Sequence, residues 1–310
     1  MPSFGLPGLF LVGRVFLVVV EAHRGQGGFA DSQGWLDRPL QVVAACRARD
    51  LPILEIMAQR LAANVPLRAL HVVAPDPDCP QIQTRLGGGV HVIPENDFIP
   101  GMQMKTLRTL NVPSFPMAAG WYFQQLLKLQ FAFVAPEDDY YLIWDADTVP
   151  LRPMKFFDAQ GRMFLTRATE YHPPYFETYR RLFGADAQRE CSFIAQHILV
   201  QKSVAREMLG AIEQRVAGEG NWAWKIMRSL PATGNNLFSE YETYGHYLKN
   251  HYPDRVVFVD RPWLREGTQS VGGRVPSAKD LERLAGDYDF VAFERAATGW
   301  RRLARLLLRR

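Results

Sequence analysis

From about residue 38 onward, apolar and polar positions alternate between two periods. Residues 41–46 form a short apolar run of strand length. Asp50 and Pro52 then open a helix to about residue 63 that carries Leu54, Met57 and Leu61 on one face. Residues 67–73 read as a second strand, closed by Ala74, Pro75, Asp76 and Pro77, and residues 90–93 as a third. This alternation of strand and helix predicts an α/β fold: a mixed, mainly parallel sheet flanked by helices. Such sheets bind ligands outside the carboxyl ends of their strands, near the point where strand order reverses. Arg47 and Asp50 follow the first strand and Asp76 the second, so all three are expected along that rim.

Residues 118–134 have helical spacing but are apolar nearly all round, with Trp121, Phe123, Leu126, Leu127, Leu129 and Phe131, which predicts a buried helix. Gln124, Gln125 and Lys128 cluster on it, and buried polar groups need partners. They either cap neighbouring loops or present Lys128 to an anionic ligand. A strand at 140–144 follows and runs into Asp145, Ala146 and Asp147. Side chains two apart on a strand share a face, so the two carboxylates can converge on one hard cation such as Mg²⁺ or Mn²⁺. The competing explanation is that aspartates after a strand are ordinary turn formers. Pro150 and Pro153 are expected to stop regular structure beyond the motif.

Further along, residues 163–166 form a strand, and residues 192–200 alternate like one and carry Gln196 and His197. His197 is a candidate third metal ligand, or else a core histidine. Ser203 is expected to cap a helix to about residue 215. Between 237 and 247, Ser239 and Glu242 have the spacing of a capping box. Glu240 falls in the same first turn, where a helix dipole favours an acid. Asn235, Asn236, Ser239, Glu240, Tyr241, Tyr244 and His246 concentrate hydrogen-bonding and aromatic groups of the kind that grip sugars. A last short strand spans 256–259.

Composition narrows the class. Of 310 residues, 47% are hydrophobic and 22% charged, which suits a globular chain with a large core. The net charge of +4 fits an anionic small molecule or surface, and neither zinc-finger spacing nor an RNA-binding signature is present, so no nucleic-acid partner is expected. Cys46, Cys79 and Cys191 are too few and too far apart for a disulfide framework, which points to a reducing cytoplasm. Residues 1–37 read as an N-terminal extension, 38–263 as the catalytic domain and 264–310 as a C-terminal segment. Within the last, Arg301, Arg302, Arg305, Arg309 and Arg310 surround Leu303, Leu306, Leu307 and Leu308 as a basic amphipathic helix. That helix is either solvated or a foot on the inner face of a membrane.

Three stretches together resemble the GT-A, nucleotide-diphospho-sugar transferase superfamily, and most of all a largely uncharacterised bacterial glycosyltransferase-like family. They are Gly120, Trp121, Tyr122, Gln124, Gln125, Leu126, Leu127 and Lys128; Tyr141 to Asp147 with Thr148 and Pro150; and Phe238, Ser239, Glu240, Tyr241, Glu242, Tyr244 and Gly245. With the opening strands the resemblance spans about residues 38–263. It implies a GT-A-like fold, a nucleotide-diphosphate sugar as donor, and Asp145 and Asp147 as ligands of the divalent metal. It makes Asp76 a candidate for the nucleotide base, although paired acids are missing there and the 45–50 stretch lacks the usual small polar residues.

The expected activity is therefore sugar transfer to a glycan, lipid or small-molecule acceptor. Glu240 would be the acceptor base, and Lys128, or an arginine such as Arg152, would meet leaving-group charge. Arg47, Asp50, Asp76, Asp145 and Asp147 are the expected donor contacts. Gln124, Gln125, Gln196, Ser239, Tyr241 and His246 are the expected substrate contacts, with His246 also a reserve base. Two other readings stand beside it. A haloacid-dehalogenase-type phosphatase would use Asp145 as nucleophile and Asp147 as acid/base, with Gly286, Asp287 and Asp289 as its later acidic group. A non-catalytic sugar- or nucleotide-binding protein would keep the fold alone.

Overall fold

A computed structural model describes residues 32–112, 118–136 and 138–295, all within one compact unit that begins at Ser32. The expected N-terminal extension up to residue 31 and the basic C-terminal helix lie outside the described residues. Ten strands occur among the described residues: β1 (Leu40–Ala45), β2 (Leu67–Ala74), β3 (Val90–Pro94), β4 (Tyr140–Trp144), β5 (Thr148–Pro150), β6 (Met163–Thr166), β7 (His197–Gln201), β8 (Val256–Val259), β9 (Trp263–Leu264) and β10 (Phe290–Ala292). The helices are α1 (Ser32–Leu36), α2 (Leu51–Asn64), α3 (Cys79–Leu86), α4 (Met104–Leu107), α5 (Ala119–Val134), α6 (Pro173–Phe183), α7 (Lys202–Arg215), α8 (Trp222–Arg228), α9 (Glu240–His251), α10 (Gly267–Val271) and α11 (Ala278–Ala285).

The central sheet has the order β3-β2-β1-β4-β7. Four of its strands are parallel, and β7 closes the edge antiparallel to β4. The fold is thus the mixed α/β class, with a mainly parallel sheet flanked by helices. Continuous apolar runs are what strands buried on both faces require: Leu40, Val42, Val43 and Ala44 in β1, and Tyr141 to Trp144 in β4, are almost fully covered. The chain moves outward from β1 through β2 to β3, then returns to the other side of β1 with β4. Strand order therefore reverses between β1 and β4, which opens a crevice there.

Two local expectations are corrected, while another holds: Pro150 ends strand β5, which pairs antiparallel with β10, and irregular chain follows it. A proline at a strand end removes a donor that the ladder does not use. The 192–200 strand shrinks to β7, because Gln196 takes a left-handed backbone (φ 62°) that a strand cannot contain. Helix α7 begins before Ser203, at Lys202. The Ser203 N–H and hydroxyl both donate to Asp139, at 3.0 and 2.8 Å. At and beyond the expected boundary at residue 263, β9 and β10 join β5 in a second, three-stranded sheet.

Helix α9 fits because of one glycine. A Cβ at Gly245 would lie 2.4 Å from the Phe193 ring, so only glycine lets the helix approach the chain that enters β7. That close approach fixes the first turn of α9 over the crevice.

Candidate functional site

The crevice between β1 and β4 is a cavity of about 690 Å³. Its walls come from the end of β1 (Ala45, Cys46), from Asp145 and Asp147, from α5 and from the first turn of α9. The two aspartates do not lie on a strand as expected. The Thr148 N–H donates to the Asp145 carbonyl at 3.0 Å and folds Asp145 to Thr148 into a tight turn. The turn is held on both sides. Asp145 N–H donates to Gln196 O at 2.9 Å, and Phe293 N–H donates to Asp147 O at 2.8 Å. Trp144 Nε1 donates to Thr148 O at 2.7 Å beneath it. Both carboxylates reach the cavity, through turn geometry rather than strand alternation.

Lys128 projects from α5 into this site. Its Nζ lies 2.7 Å from Asp145 Oδ1, forms an ion pair with Glu240 Oε1, and donates to the Tyr241 hydroxyl at 3.5 Å. Burial opposes the ammonium charge, but Asp145 and Glu240 prevail and raise the Lys128 pKa. Glu240 is also raised: burial and Asp145 outweigh the attraction of Lys128. Gln125 holds the start of α9, its Oε1 accepting the Glu240 N–H at 3.1 Å while its Nε2 donates to Trp121 O. Lys128 thus faces the site, while Gln125 does the capping.

Asp147 has a different environment. Burial, then Asp145 and Glu294, push its carboxyl up to about 7 against the pull of Arg274. A quarter of its side-chain surface nevertheless remains open to the cavity. Arg274 Nη2 is 3.5 Å from Asp147 Oδ2, and Arg274 Nη1 is 2.6 Å from Asp50 Oδ1. Arg295 reaches the same Asp50 oxygen at 2.8 Å. Burial works against the Asp50 carboxylate, but the two arginines win and hold it below its ordinary pKa. Arg265 sits between Glu170 and Glu294 on another wall.

Of the residues expected at the site, the structure brings Asp50, Gln124, Gln125, Lys128, Asp145, Asp147, Gln196, Ser239, Glu240 and Tyr241 to this cavity. Arg47 lines a second cavity, of about 410 Å³, that shares Ala45, Cys46, Asp50, Trp121 and Gln124 with the first. Asp76 lines neither; its Oδ2 accepts the Asn96 N–H at 3.2 Å. His197 is not a metal ligand in this arrangement. It stacks on Trp144 at 5.0 Å, meets Phe290 edge-on and bonds Thr166 through Nε2 at 3.1 Å. Burial, then Arg261, depress its pKa to about 3, as for a neutral core imidazole.

His246 also lies away from the cavity, enclosed by Phe176, Tyr179 and Phe193 and 3.2 Å from Glu242. The capping box is only half made. The Ser239 hydroxyl accepts the Glu242 N–H at 3.3 Å, but the Glu242 carboxylate turns inward to the Ser192 hydroxyl at 2.6 Å. Arg152 is spent on the Ala285 carbonyl, the Gly286 carbonyl and Asp289, and is not a charge stabiliser at the cavity. Asp289 is drawn to Arg152 and Arg261 and stays out of the cavity, so it is not placed as the later acid of a phosphatase site.

Sequence reasoning missed Glu170, Tyr175, Arg265, Arg274, Glu294 and Arg295, which also line the site. Tyr175 stands in the first turn of α6 and the others in loops or at strand ends, and no local pattern marked them. The first turn of the cavity wall at Asn235 and Asn236 was visible only as a crowd of polar residues. Asn236 takes a left-handed φ of 52°, a conformation asparagine tolerates.

Several solved structures resemble this chain in shape. Mouse xyloside xylosyltransferase 1, in its apo form, is 11% identical, covered over 97% of its length and over 82% of this chain, with a TM-score of 0.45. An active-site mutant of LgtC is 14% identical, covered over 96% of its length and over 87% of this chain, again with a TM-score of 0.45. The glycosyltransferase GlyE of Streptococcus pneumoniae is 14% identical, covered over 56% of its length and over 84% of this chain, with a TM-score of 0.39. No residue role is carried over at such distances. No curated protein matches the sequence. A family model does match, over residues 39–270, and the chain belongs to that family, a family of unknown function (DUF6492).

Proposed function

We propose that this protein is a divalent-metal-dependent glycosyltransferase that moves a sugar from a nucleotide-diphosphate donor to a glycan, lipid or small-molecule acceptor. The observation that carries the reading is the meeting of Asp145, Asp147, Lys128, Glu240 and Arg274 around one cavity at the reversal of strand order. Among the described residues no group of three or more His, Cys, Asp or Glu is arranged to hold a metal. The fit is instead that of two carboxylates on a turn, close enough for Asp145 to raise the Asp147 pKa. Small hard cations accept one or two carboxylates and complete their shell with substrate phosphate oxygens and water. When bound there, Mn²⁺ or Mg²⁺ would supply Lewis-acid neutralisation of the diphosphate.

The chain's own groups then have separate tasks. Glu240 accepts the proton of the acceptor hydroxyl, whose oxygen forms the new bond to the anomeric carbon. The bond from that carbon to the diphosphate oxygen breaks, and the diphosphate leaves with the electron pair. Lys128 holds Asp145 and Glu240 in register, and Arg274 lies beside Asp147, where the leaving charge develops. The raised pKa of Glu240 suits a proton acceptor.

Donor hydrolysis with Mn²⁺, with EDTA, and in Asp145→Asn and Asp147→Asn proteins tests the reading. Both substitutions should abolish metal-dependent nucleotide-diphosphate binding; Asp147→Asn should do so with little change in metal-free melting temperature, whereas Asp145→Asn also removes a partner of the buried Lys128 and should lower it. Equal binding by all three proteins in Mn²⁺ would remove the metal assignment. Turnover of a generic phosphate ester, lost on Asp145→Asn, would favour the phosphatase instead.

A further inference from the structure

The second cavity, of about 410 Å³, opens off the first behind the end of β1. The residue named from sequence for the nucleotide base, Asp76, does not line it, whereas Glu95, which directly follows β3, does. Apolar walls come from Met104, Phe123 and Leu127, and Trp121 stands where the two cavities join. These surfaces suit a flat ring. Four charged groups that the proposed mechanism does not use line the same space: Glu95, Arg47, Arg108 and Arg49, the last of them 3.7 Å from Asp50. Burial, with the nearby carboxylates of Asp76 and Asp78, raises the Glu95 pKa against the opposing charges of Arg47 and Arg108. Asp50, the other acid of this cavity, is already engaged by Arg274 and Arg295.

Resting on the glycosyltransferase reading, we propose that this cavity takes the base of the donor nucleotide and selects guanine. The Glu95 carboxylate would accept from N1–H and the N2 amino group, and the Arg47 and Arg108 guanidiniums would face O6 and N7. The chemistry of the four bases decides this. Guanine alone sets two N–H donors side by side on one edge, matching the two oxygens of a carboxylate, with acceptors O6 and N7 on the flank that arginine reads. Uracil presents one donor between two carbonyl oxygens, so one carboxylate oxygen would oppose a carbonyl. Adenine and cytosine each set a ring-nitrogen acceptor beside their amino group, with the same result. A site built around hydrogen-bond partners rejects a ligand that leaves them unpaired.

Calorimetric titration in Mn²⁺ of the wild-type protein and Glu95→Gln with GDP, UDP, ADP, CDP and inorganic diphosphate tests the proposal. GDP should bind the wild type about ten- to a hundred-fold more tightly than the other nucleotides, the range expected for one good bidentate pair. In Glu95→Gln that margin should vanish, while diphosphate affinity and melting temperature stay as in the wild type. Tighter or equal binding of UDP, ADP or CDP by the wild type would overturn the guanine assignment alone. So would a GDP preference that survives Glu95→Gln. Absence of binding by every nucleotide in Mn²⁺ would instead overturn the glycosyltransferase reading, and this inference with it.

Discussion

Glu240 and Glu242 stand two residues apart in the first turn of α9, and both are almost fully covered, at 3% and 2% exposure. Their surroundings share nothing. Glu240 touches a cation, Lys128, and borders the cavity. Glu242 points the other way, toward the Ser192 hydroxyl and the Phe193 N–H at 3.3 Å, which donate to it, with the His246 ring 3.2 Å away. Side chains two apart on a helix diverge, so one acid is delivered to the site and the other to the core. Burial therefore does not distinguish the two acids. What distinguishes Glu240 is its contact with Lys128 together with access to open volume.

The largest effect should come from Glu240→Gln. If it is the acceptor base, turnover should fall about 10²–10⁴-fold with nucleotide affinity near wild type, because general-base assistance is of that size. Full turnover with the true acceptor would make Glu240 a structural partner of Lys128 only. His246, enclosed in aromatic rings, is no longer the reserve base; a retaining mechanism or another cavity acid would have to be tested.

Next is Lys128→Ala, which removes the cation between two carboxylates. Breaking a buried ion pair from one side costs about 3–5 kcal/mol. Urea unfolding should report a loss of that order, and the double variant Lys128→Ala with Glu240→Gln should recover part of it. No recovery would mean that Glu240 is not the acid left uncompensated.

Glu242→Gln should divide stability from activity. A capping role alone would leave it nearly silent, since glutamine completes a capping box as well as glutamate does. The structure changes that expectation, because the carboxylate is an acceptor for buried donors. A loss of about 1–3 kcal/mol in stability is expected, the cost of leaving a buried polar group unmatched. Turnover per folded molecule should stay close to wild type. A large drop in turnover with unchanged stability would erase the distinction between the two acids.

The smallest effect concerns His197, the buried group that the sequence offered as either a third metal ligand or a core histidine. Its folded pKa, about 3, lies below the ordinary histidine value of 6.5. Below pH 6.5 the unfolded chain binds the extra proton and the native state does not, so stability falls as pH drops from about 6.5 toward 3. The loss should approach about 1.4 kcal/mol per pH unit per such histidine. His71, depressed to about 4 chiefly by burial, adds a slope of the same sign. Urea midpoints from pH 7 to 5 should fall less steeply in His197→Phe than in the wild type. An unchanged slope would show that His197 does not titrate on unfolding.

The parts of the site that were legible in the sequence sit beside strong periodic signals. Asp145 and Asp147 end an apolar strand, Lys128 breaks an otherwise apolar helix, and Glu240 follows a helix cap. The arginines at 265, 274 and 295 are as much part of the cavity, yet they reach it from loops beyond the boundary drawn at residue 263. Their positions depend on β10 pairing with β5 directly behind the aspartate turn.

By itself the sequence determined the alternation of strand and helix, the buried character of α5, and the presence of two carboxylates where an apolar run ends. These follow from periods of 2 and 3.6 residues and from the cost of covering unpaired polar groups, which are properties of short segments. Tertiary structure alone decided which partners those segments meet. It turned His197 and His246 into aromatic-lined core, joined Lys128 to Glu240 across 112 positions of sequence, and placed Glu95 rather than Asp76 at the second cavity. Such choices depend on strand order and on the direction in which each side chain leaves its helix or turn, and no local pattern of residues encodes either.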